Sequence, residues 1–592
     1  MSQPINPVVA QLQHIDTLAR AGRAADAFAI ARALADANPS DFACIRAAVL
    51  TSHAAGDVPA TVIYMRRAVE LRPADASLRL NLAKALHESG DTDAALAELS
   101  ALLAANPASP QLYTEASQML KDRQRYMESR EWITRGLKHS PGEVGLTFAQ
   151  ASEFLRTGEY ERALPLYDAL IRAMPQMAFF YLERAYALNY LSDADADMLF
   201  AAHKACGAYL DMAPDMSSLW ASRNRDAHRP LNIGFIGPDF FRHSVTYFIE
   251  GLFEHIDRSQ FKLFVYHTNR QRDHVTDRLE KLVHTFRHVK QEQPAALAKI
   301  IANDQVDILI DLAGYTQVHG ITVLSARPAP VLATYCGYPN TTGSSRVGWR
   351  IIDSHTDPAG AEAFATEHLL RLDPCFLCYR PEADAPDVAP LPAERKGHIT
   401  FGSFNAQRKF NVRVGDLWRR VLERVPNSRL AIKSINFTEP ASLAFARQQL
   451  QSFGLPIDRI DVLPAPQSAR EHLAQYAQVD IALDTYPYHG TTTTCESLWM
   501  GVPVVTLAGH THAARVGVSL LANTGLHDWI AHTPDDYVSI AARAAADTAG
   551  LAALRSSLRQ RLLASPLCDQ PAFARRFESA LRTMWTAWAT GK

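Results

Sequence analysis

The chain has 592 residues, with 60 Lys and Arg against 62 Asp and Glu, a net charge of −2 and 47% apolar residues. That length predicts about three or four domains with large cores, and the balanced charge gives no field suited to nucleic acid or an anionic membrane surface. No apolar run reaches membrane-spanning length and Met1–Asp16 carries no signal-peptide pattern, so with seven mostly scattered cysteines a reducing cytoplasm is expected.

In chain order, repeats come first. Pro39, Pro73, Pro107, Pro141 and Pro175 follow a constant 34-residue step. Gly22, Gly56, Gly90 and Gly158 keep the same step, interrupted by Gln124, and Ala27, Ala95 and Ala163 stay in phase as small residues do where helices pack closely. This is the tetratricopeptide signature, and it predicts a helical superhelix over residues 1–205 with a concave groove. The groove is expected to hold an extended protein segment; a stacking or homodimer spacer is the alternative. Asp193, Asp195 and Asp197 are assigned to a helix start rather than a metal.

Residues 206–230 are polar and poorly periodic and read as a linker. Leu231–Ile236 then opens an α/β lobe over 231–390 as a buried strand. It leads into a loop holding Asp239 and His243, at the strand edge where open parallel sheets bind ligands. Further strands follow in KLFVYHT, VDILIDLAGYT, VLATYCGYPNTTG and WRIIDSHTDP, and Thr341-Thr342-Gly343 reads as a possible helix-start anion site. Cys375 and Cys378, in the apolar CFLCY, are taken as core thiols rather than zinc ligands. The Pro-rich stretch 383–396 is a hinge, and a second α/β lobe occupies 391–592. Two such lobes across a hinge describe the GT-B architecture of glycosyltransferases, with tandem lobes of hydrolases or binding proteins as the alternative.

The second lobe carries DTYPYHGTTTTCESLWMGVPVV at Asp484–Val505. A buried strand, VDIALD, enters it; Pro487 and Gly490 turn the backbone; and Thr491–Thr494 open a helix closed by Gly501-Val502-Pro503. Hydroxyls at a helix start, where amides are unpaired and the dipole is positive, suit a phosphate or diphosphate. Glu496, one turn on, is placed to accept from a ribose hydroxyl. The alternative is an ordinary Thr-capped helix.

Read together, FRHSVTYFIE, RPAPVLATYCGYPNTTG, CFLCY, ITFGSFN, DTYPYHGTTTTCESLWMGVP and VGVSLL resemble the O-GlcNAc transferase and SPINDLY family, glycosyltransferase family 41. The likeness is greatest to the SPINDLY arm. It implies that His243 lies beside the sugar, as a candidate general base, with Asp239 aiding a proton relay. It implies that Lys409 stabilises the departing diphosphate, that Thr492 and Thr493 touch it, that Glu496 takes the place of a ribose-binding aspartate, and that His472 packs on the base. Three positions depart from O-GlcNAc transferase: Ala469 replaces a lysine, Ala406 a glutamine and Thr491 a histidine. The SPINDLY likeness implies GDP-fucose ahead of UDP-GlcNAc.

Bottom-up, each of these residues has a plainer role. Lys409 is the type of residue that meets a leaving diphosphate without a metal, or a solvated surface lysine. His243 suits a base at neutral pH, or a loop histidine with satisfied partners. Asp239 serves a relay or caps the next helix, and His472 stacks or lies on a helix surface. Gly490, Thr491, Thr341 and Thr342 complete the expected donor site. The expected activity is inverting, metal-independent transfer of one sugar to Ser or Thr of a protein, with no cofactor. The proton leaves through His243, Asp239 or the donor phosphate. An Asn-modifying transferase and a non-catalytic scaffold that binds nucleotide sugar are the alternatives.

Overall fold

A computed structural model describes residues 6–290 and 292–591. It divides into two compact units, Met1–Glu153 and Phe154–Lys592.

The first unit is built of paired helices: Pro7–Arg20 with Ala24–Ala37, Phe42–Ala54 with Val58–Leu71, Ala76–Glu88 with Thr92–Ala105, and Pro110–Asp122 with Tyr126–His139. The repeating residues explain themselves. Pro39, Pro73 and Pro107 each stand three positions before a helix begins, where a missing N–H costs nothing. Asp41 and Asp75, and Asp57 and Asp91, accept from first-turn amides of their helices. Gly22, Gly56 and Gly90 take φ of 74°, 74° and 100°, the left-handed turn that joins the two helices of a pair. Gln124 occupies the same place with φ 60°, so the backbone requirement persists where the glycine does not. Ala27 and Ala95 are fully buried between helices.

The second unit begins with the end of the repeat array, including Tyr160–Ala173, Ala178–Leu188 and Ala196–Leu210. Two parallel sheets follow. The first contains β1 (Leu231–Gly237), β2 (Phe261–His267), β3 (Thr285–His288), β4 (Ile308–Asp311), β5 (Val331–Tyr335), β6 (Trp349–Ile352) and β7 (His368–Arg371), in the order β3-β2-β1-β4-β5-β6-β7. The second contains β8 (Thr400–Ser403), β9 (Arg429–Lys433), β10 (Ile460–Leu463), β11 (Ile481–Leu483), β12 (Val504–Leu507) and β13 (Ile530–Ala531), in the order β10-β9-β8-β11-β12-β13. Every strand pair is parallel. In each sheet the order reverses beside the first strand, which opens a crevice at the strands' carboxyl ends. The architecture is a tetratricopeptide array followed by a two-lobed GT-B fold.

Three boundaries differ from the sequence reading. The compact units part at Glu153/Phe154, so the last repeat helices belong with the lobes rather than with a separate 1–205 array. The linker drawn from 206 starts inside the helix Ala196–Leu210, and its later part is docked: Trp220 donates to Arg327 O at 2.8 Å and packs edge-on to Trp588. The final helix, Gln570–Thr590, does not stay with the second lobe. It buries Phe573, Phe577, Leu581, Met584 and Trp585 completely, and Glu578 accepts from Asp257 N in the first lobe at 2.7 Å. Polar, broken periodicity concealed the first docking, and an amphipathic helix does not announce which lobe its apolar stripe will cover.

Cys375 and Cys378 are buried free thiols, and burial pushes the Cys375 thiol up to about 12, which disfavours a metal-binding thiolate. Asp195 caps its helix by accepting from Met198 N at 2.7 Å. Among the described residues, no group of three or more His, Cys, Asp and Glu is placed to hold a metal, and no helix is long and apolar enough to cross a membrane.

Candidate functional site

A cleft of ≈ 440 Å³ lies where the carboxyl ends of the two sheets face each other. The first lobe contributes Asp239 and His243 from the loop after β1, and the second contributes Lys409, Thr491, Thr492 and Thr493. Tyr186 and Tyr190, from the last repeats, form part of the wall.

The threonine run is shaped by Asp484, at the end of β11. This buried carboxylate accepts from Thr485 N at 2.9 Å and Gly490 N at 2.7 Å, and from the Thr506 hydroxyl at 2.8 Å, so it draws the turn closed. Gly490 is required there, because a Cβ would lie 2.6 Å from Thr493 Oγ1 and 2.7 Å from Thr494 Oγ1. The helix Thr492–Trp499 follows, and Thr491 gives it no side-chain cap. Thr494 turns inward to Gly490 O, Thr493 donates to Asn405 Oδ1 at 3.2 Å, and Thr491–Thr493 stay partly open to the cleft. Uncapped amides at the positive end of a dipole are thus left facing a cavity.

Lys409 reaches the same place from the turn after β8. Its ammonium donates to His489 O at 2.7 Å and Asn405 Oδ1 at 3.0 Å, and lies 4.9 Å from the centre of the Tyr488 ring. Although part of the side chain still opens onto the cleft, the surrounding protein desolvates the ammonium and brings its pKa down to about 7, against the pull of Asp484. The site therefore holds an amine whose charged form an incoming anion would favour.

Across the cleft, His243 Nδ1 lies 3.5 Å from Asp239 Oδ1 and accepts from Val245 N at 3.3 Å. Burial lowers the imidazole and raises the carboxyl, each shift partly offset by the other group. Asp239 does not cap the next helix; its backbone carbonyl instead takes the Thr246 hydroxyl at 2.9 Å.

His472 and Glu496 form a second cluster beside the helix start. His472 Nε2 donates to Glu496 Oε2 at 2.7 Å, and Lys433 Nζ contacts His472 Nδ1 and lies 4.4 Å over the Phe404 ring. Burial brings Lys433 down to about 7. The sequence reading did not single out Lys433, although a lysine ending the buried strand RLAIK was the available signal. Ala469 opens the neighbouring helix behind the Ser468 cap, with no charged group of its own, and Ala406 lines the main cleft.

Thr341 and Thr342 do not belong to this site, which corrects the expectation of an anion-binding helix start. No helix follows them. Both are buried and both hydroxyls bond the Glu367 carboxylate, Thr341 at 2.6 Å. Gly343 serves a different end: its carbonyl oxygen would sit 1.8 Å from a Cβ on Gly207, so the pair lets the last repeat helix cross the first lobe at backbone contact.

Comparison with known proteins gives a consistent picture. The pattern of Glycosyl transferase family 41 matches residues 203–378 and 391–577, and a tetratricopeptide pattern matches 52–118. The probable UDP-N-acetylglucosamine–peptide N-acetylglucosaminyltransferase SPINDLY of Arabidopsis thaliana is 41% identical over 414 residues, 69% of this chain and 45% of that protein. The corresponding SEC protein of the same plant is 28% identical over 61% of this chain and 38% of its own. The chain thus spans less than half the length of these curated relatives. A solved O-GlcNAc transferase mutant of Thermobaculum terrenum superposes with a TM-score of 0.79 at 29% identity, over 88% of this chain and 99% of that one. The chain belongs to glycosyl transferase family 41, and of the two plant relatives it is more similar to SPINDLY than to SEC.

Proposed function

We propose that the protein is an inverting O-glycosyltransferase that moves a single sugar from a nucleotide-sugar donor to Ser or Thr of a protein. The observation that carries this reading is the convergence of Lys409 and the uncapped start of Thr492–Trp499 on one cleft between two lobes. Charge grows on the diphosphate as the anomeric C–O bond breaks, and preorganised donors at that point lower the barrier. Lys409, the Thr492 and Thr493 hydroxyls and the helix amides meet it, so the reading assigns no metal or cofactor to the step. His243 and Asp239 flank the sugar from the other lobe, and the His472–Glu496 pair receives base and ribose. The tetratricopeptide groove holds the acceptor.

The donor we favour is GDP-fucose, on Ala469, Ala406 and Thr491, which remove three groups expected around a UDP donor. UDP-GlcNAc is the second reading, supported by the names of the SPINDLY and SEC relatives. Side-by-side affinities for GDP and UDP test the choice, since a base-bonding pocket discriminates strongly. Linkage analysis of modified peptides separates Ser/Thr from Asn acceptors. Undiminished turnover in EDTA supports the metal-free step, and loss of turnover restored by a divalent cation contradicts it.

A further inference from the structure

A second hollow of ≈ 680 Å³ adjoins the catalytic cleft, and His512 is the residue that lines both. Its walls come from the loop after β6 in the first lobe, the start of the last repeat helix, and the Tyr486-Pro487 and His510–His512 turns of the second lobe. His512 is only 8% exposed, and it is held by a buried chain of charges. Its Nδ1 lies 2.5 Å from Asp357 Oδ2, and Asp357 Oδ1 accepts from Arg350 Nη1 at 3.3 Å; Asp357 and Arg350 are each 5% exposed. The ring meets Phe376 edge-on at 5.2 Å.

This arrangement fixes the imidazole. Burial opposes ionisation of Asp357, but Arg350 and His512 outweigh it and hold the carboxyl well below the usual range. An ionised Asp357 accepts the Nδ1–H, which leaves the lone pair on Nε2. Nε2 has no hydrogen-bond partner among the described residues, whereas Asp353 and Arg515, close to the pair in sequence, are both engaged. Asp353 accepts from Phe376 N at 3.0 Å and Ser519 Oγ at 2.5 Å, and Arg515 donates to His355 O at 2.7 Å. Asp239, His243, Arg408 and Lys409 line the cleft with His512, and Asp193, Asp195, Asp197, Arg413 and His510 line the second hollow. By contrast, His243 is 40% exposed and 3.5 Å from its carboxylate, a much looser dyad.

We propose that His512, oriented by Asp357, takes the proton of the acceptor hydroxyl, the acceptor chain entering through the second hollow. This rests on the transferase reading above. In the step, the acceptor O–H bond breaks and its proton passes to His512 Nε2, while the oxygen's electron pair forms the new bond to the anomeric carbon. The bond from that carbon to the diphosphate breaks, its electron pair leaves with the diphosphate towards Lys409, and the imidazolium later returns its proton to water. His243 is then left to contact the sugar.

The test uses the full chain, with a donor and a Ser/Thr peptide that support turnover of the parent. His512→Gln is expected to lower kcat by about 10²-fold or more, with GDP and UDP affinities unchanged. Unchanged nucleotide affinity also reports that the variant is folded. In His512→Ala, added imidazole should restore part of kcat, which a merely structural role would not produce. A parent that binds nucleotide yet transfers to no acceptor overturns the transferase reading and this inference with it. A parent that transfers, beside a folded His512→Gln with parental kcat, overturns the assignment of the base alone.

Discussion

Lys409→Ala is the most informative single change. The ammonium lies beside the uncapped helix start, and it is the one lysine lining the cleft among the described residues. Two unit charges at about 4 Å and an effective dielectric near 20 interact by ~4 kcal/mol, and removing one preorganised donor from a developing anion costs ~3 kcal/mol. That corresponds to a fall of about 10²-fold in kcat. Stability should change far less. Truncation leaves His489 O and Asn405 Oδ1 without the ammonium, a cost of ~1–3 kcal/mol, but it also removes a cation that burial already disfavours. Single-turnover transfer from labelled donor, with thermal melting as the check on folding, separates the two effects. Lys409→Arg should recover only part of the rate, because a planar fork does not fit a point-charge site. A folded Lys409→Ala protein within about threefold of the parent would limit the contribution to ~0.7 kcal/mol and refute the assignment.

Nucleotide binding should take up protons above neutral pH. Lys409 is held at about 7 in the free protein, so below that pH it is already charged, whereas above it a bound diphosphate must recharge it. Affinity should therefore fall as pH rises through 7, by up to about tenfold per unit for each proton taken up, and calorimetry at alkaline pH in buffers of different ionisation heat reads the uptake directly. Gly56→Ala should destabilise the repeats by ~1 kcal/mol from left-handed backbone strain alone, since nothing lies within 4 Å of the added Cβ; a larger loss by denaturant titration would expose a contact instead. Removing residues 1–140 should abolish transfer to folded protein acceptors while slow donor hydrolysis persists. Transfer at the parental rate would make the array a spacer.

What the sequence showed, and what it hid, follows from how far each signal reaches along the chain. The repeat step was visible because each unit solves the same local problem, and Gln124 shows that the backbone demand outlasts the residue that usually meets it. The phosphate-type turn was visible because strand, Gly490, threonines and helix are consecutive. Thr341-Thr342-Gly343 looks the same locally, yet its glycine answers to Gly207 and its hydroxyls to Glu367, partners no local reading supplies. Lys433 and His512 escaped for a related reason. Lys433 has meaning only beside His472 and Glu496, further along the chain, and His512 only beside Asp357, an element of the other lobe. The final helix and the docked linker were hidden likewise, because an apolar stripe does not name its partner.

Incubating the full chain with Ser/Thr-containing peptides and either GDP-fucose or UDP-GlcNAc, then reading the acceptors by mass spectrometry, tests the transferase account most directly. We expect one deoxyhexose on a Ser or Thr hydroxyl from GDP-fucose, with inverted anomeric configuration. One N-acetylhexosamine from UDP-GlcNAc instead would overturn the donor and leave the mechanism standing. A protein that binds the nucleotides but passes sugar from neither donor to any hydroxyl would contradict the account.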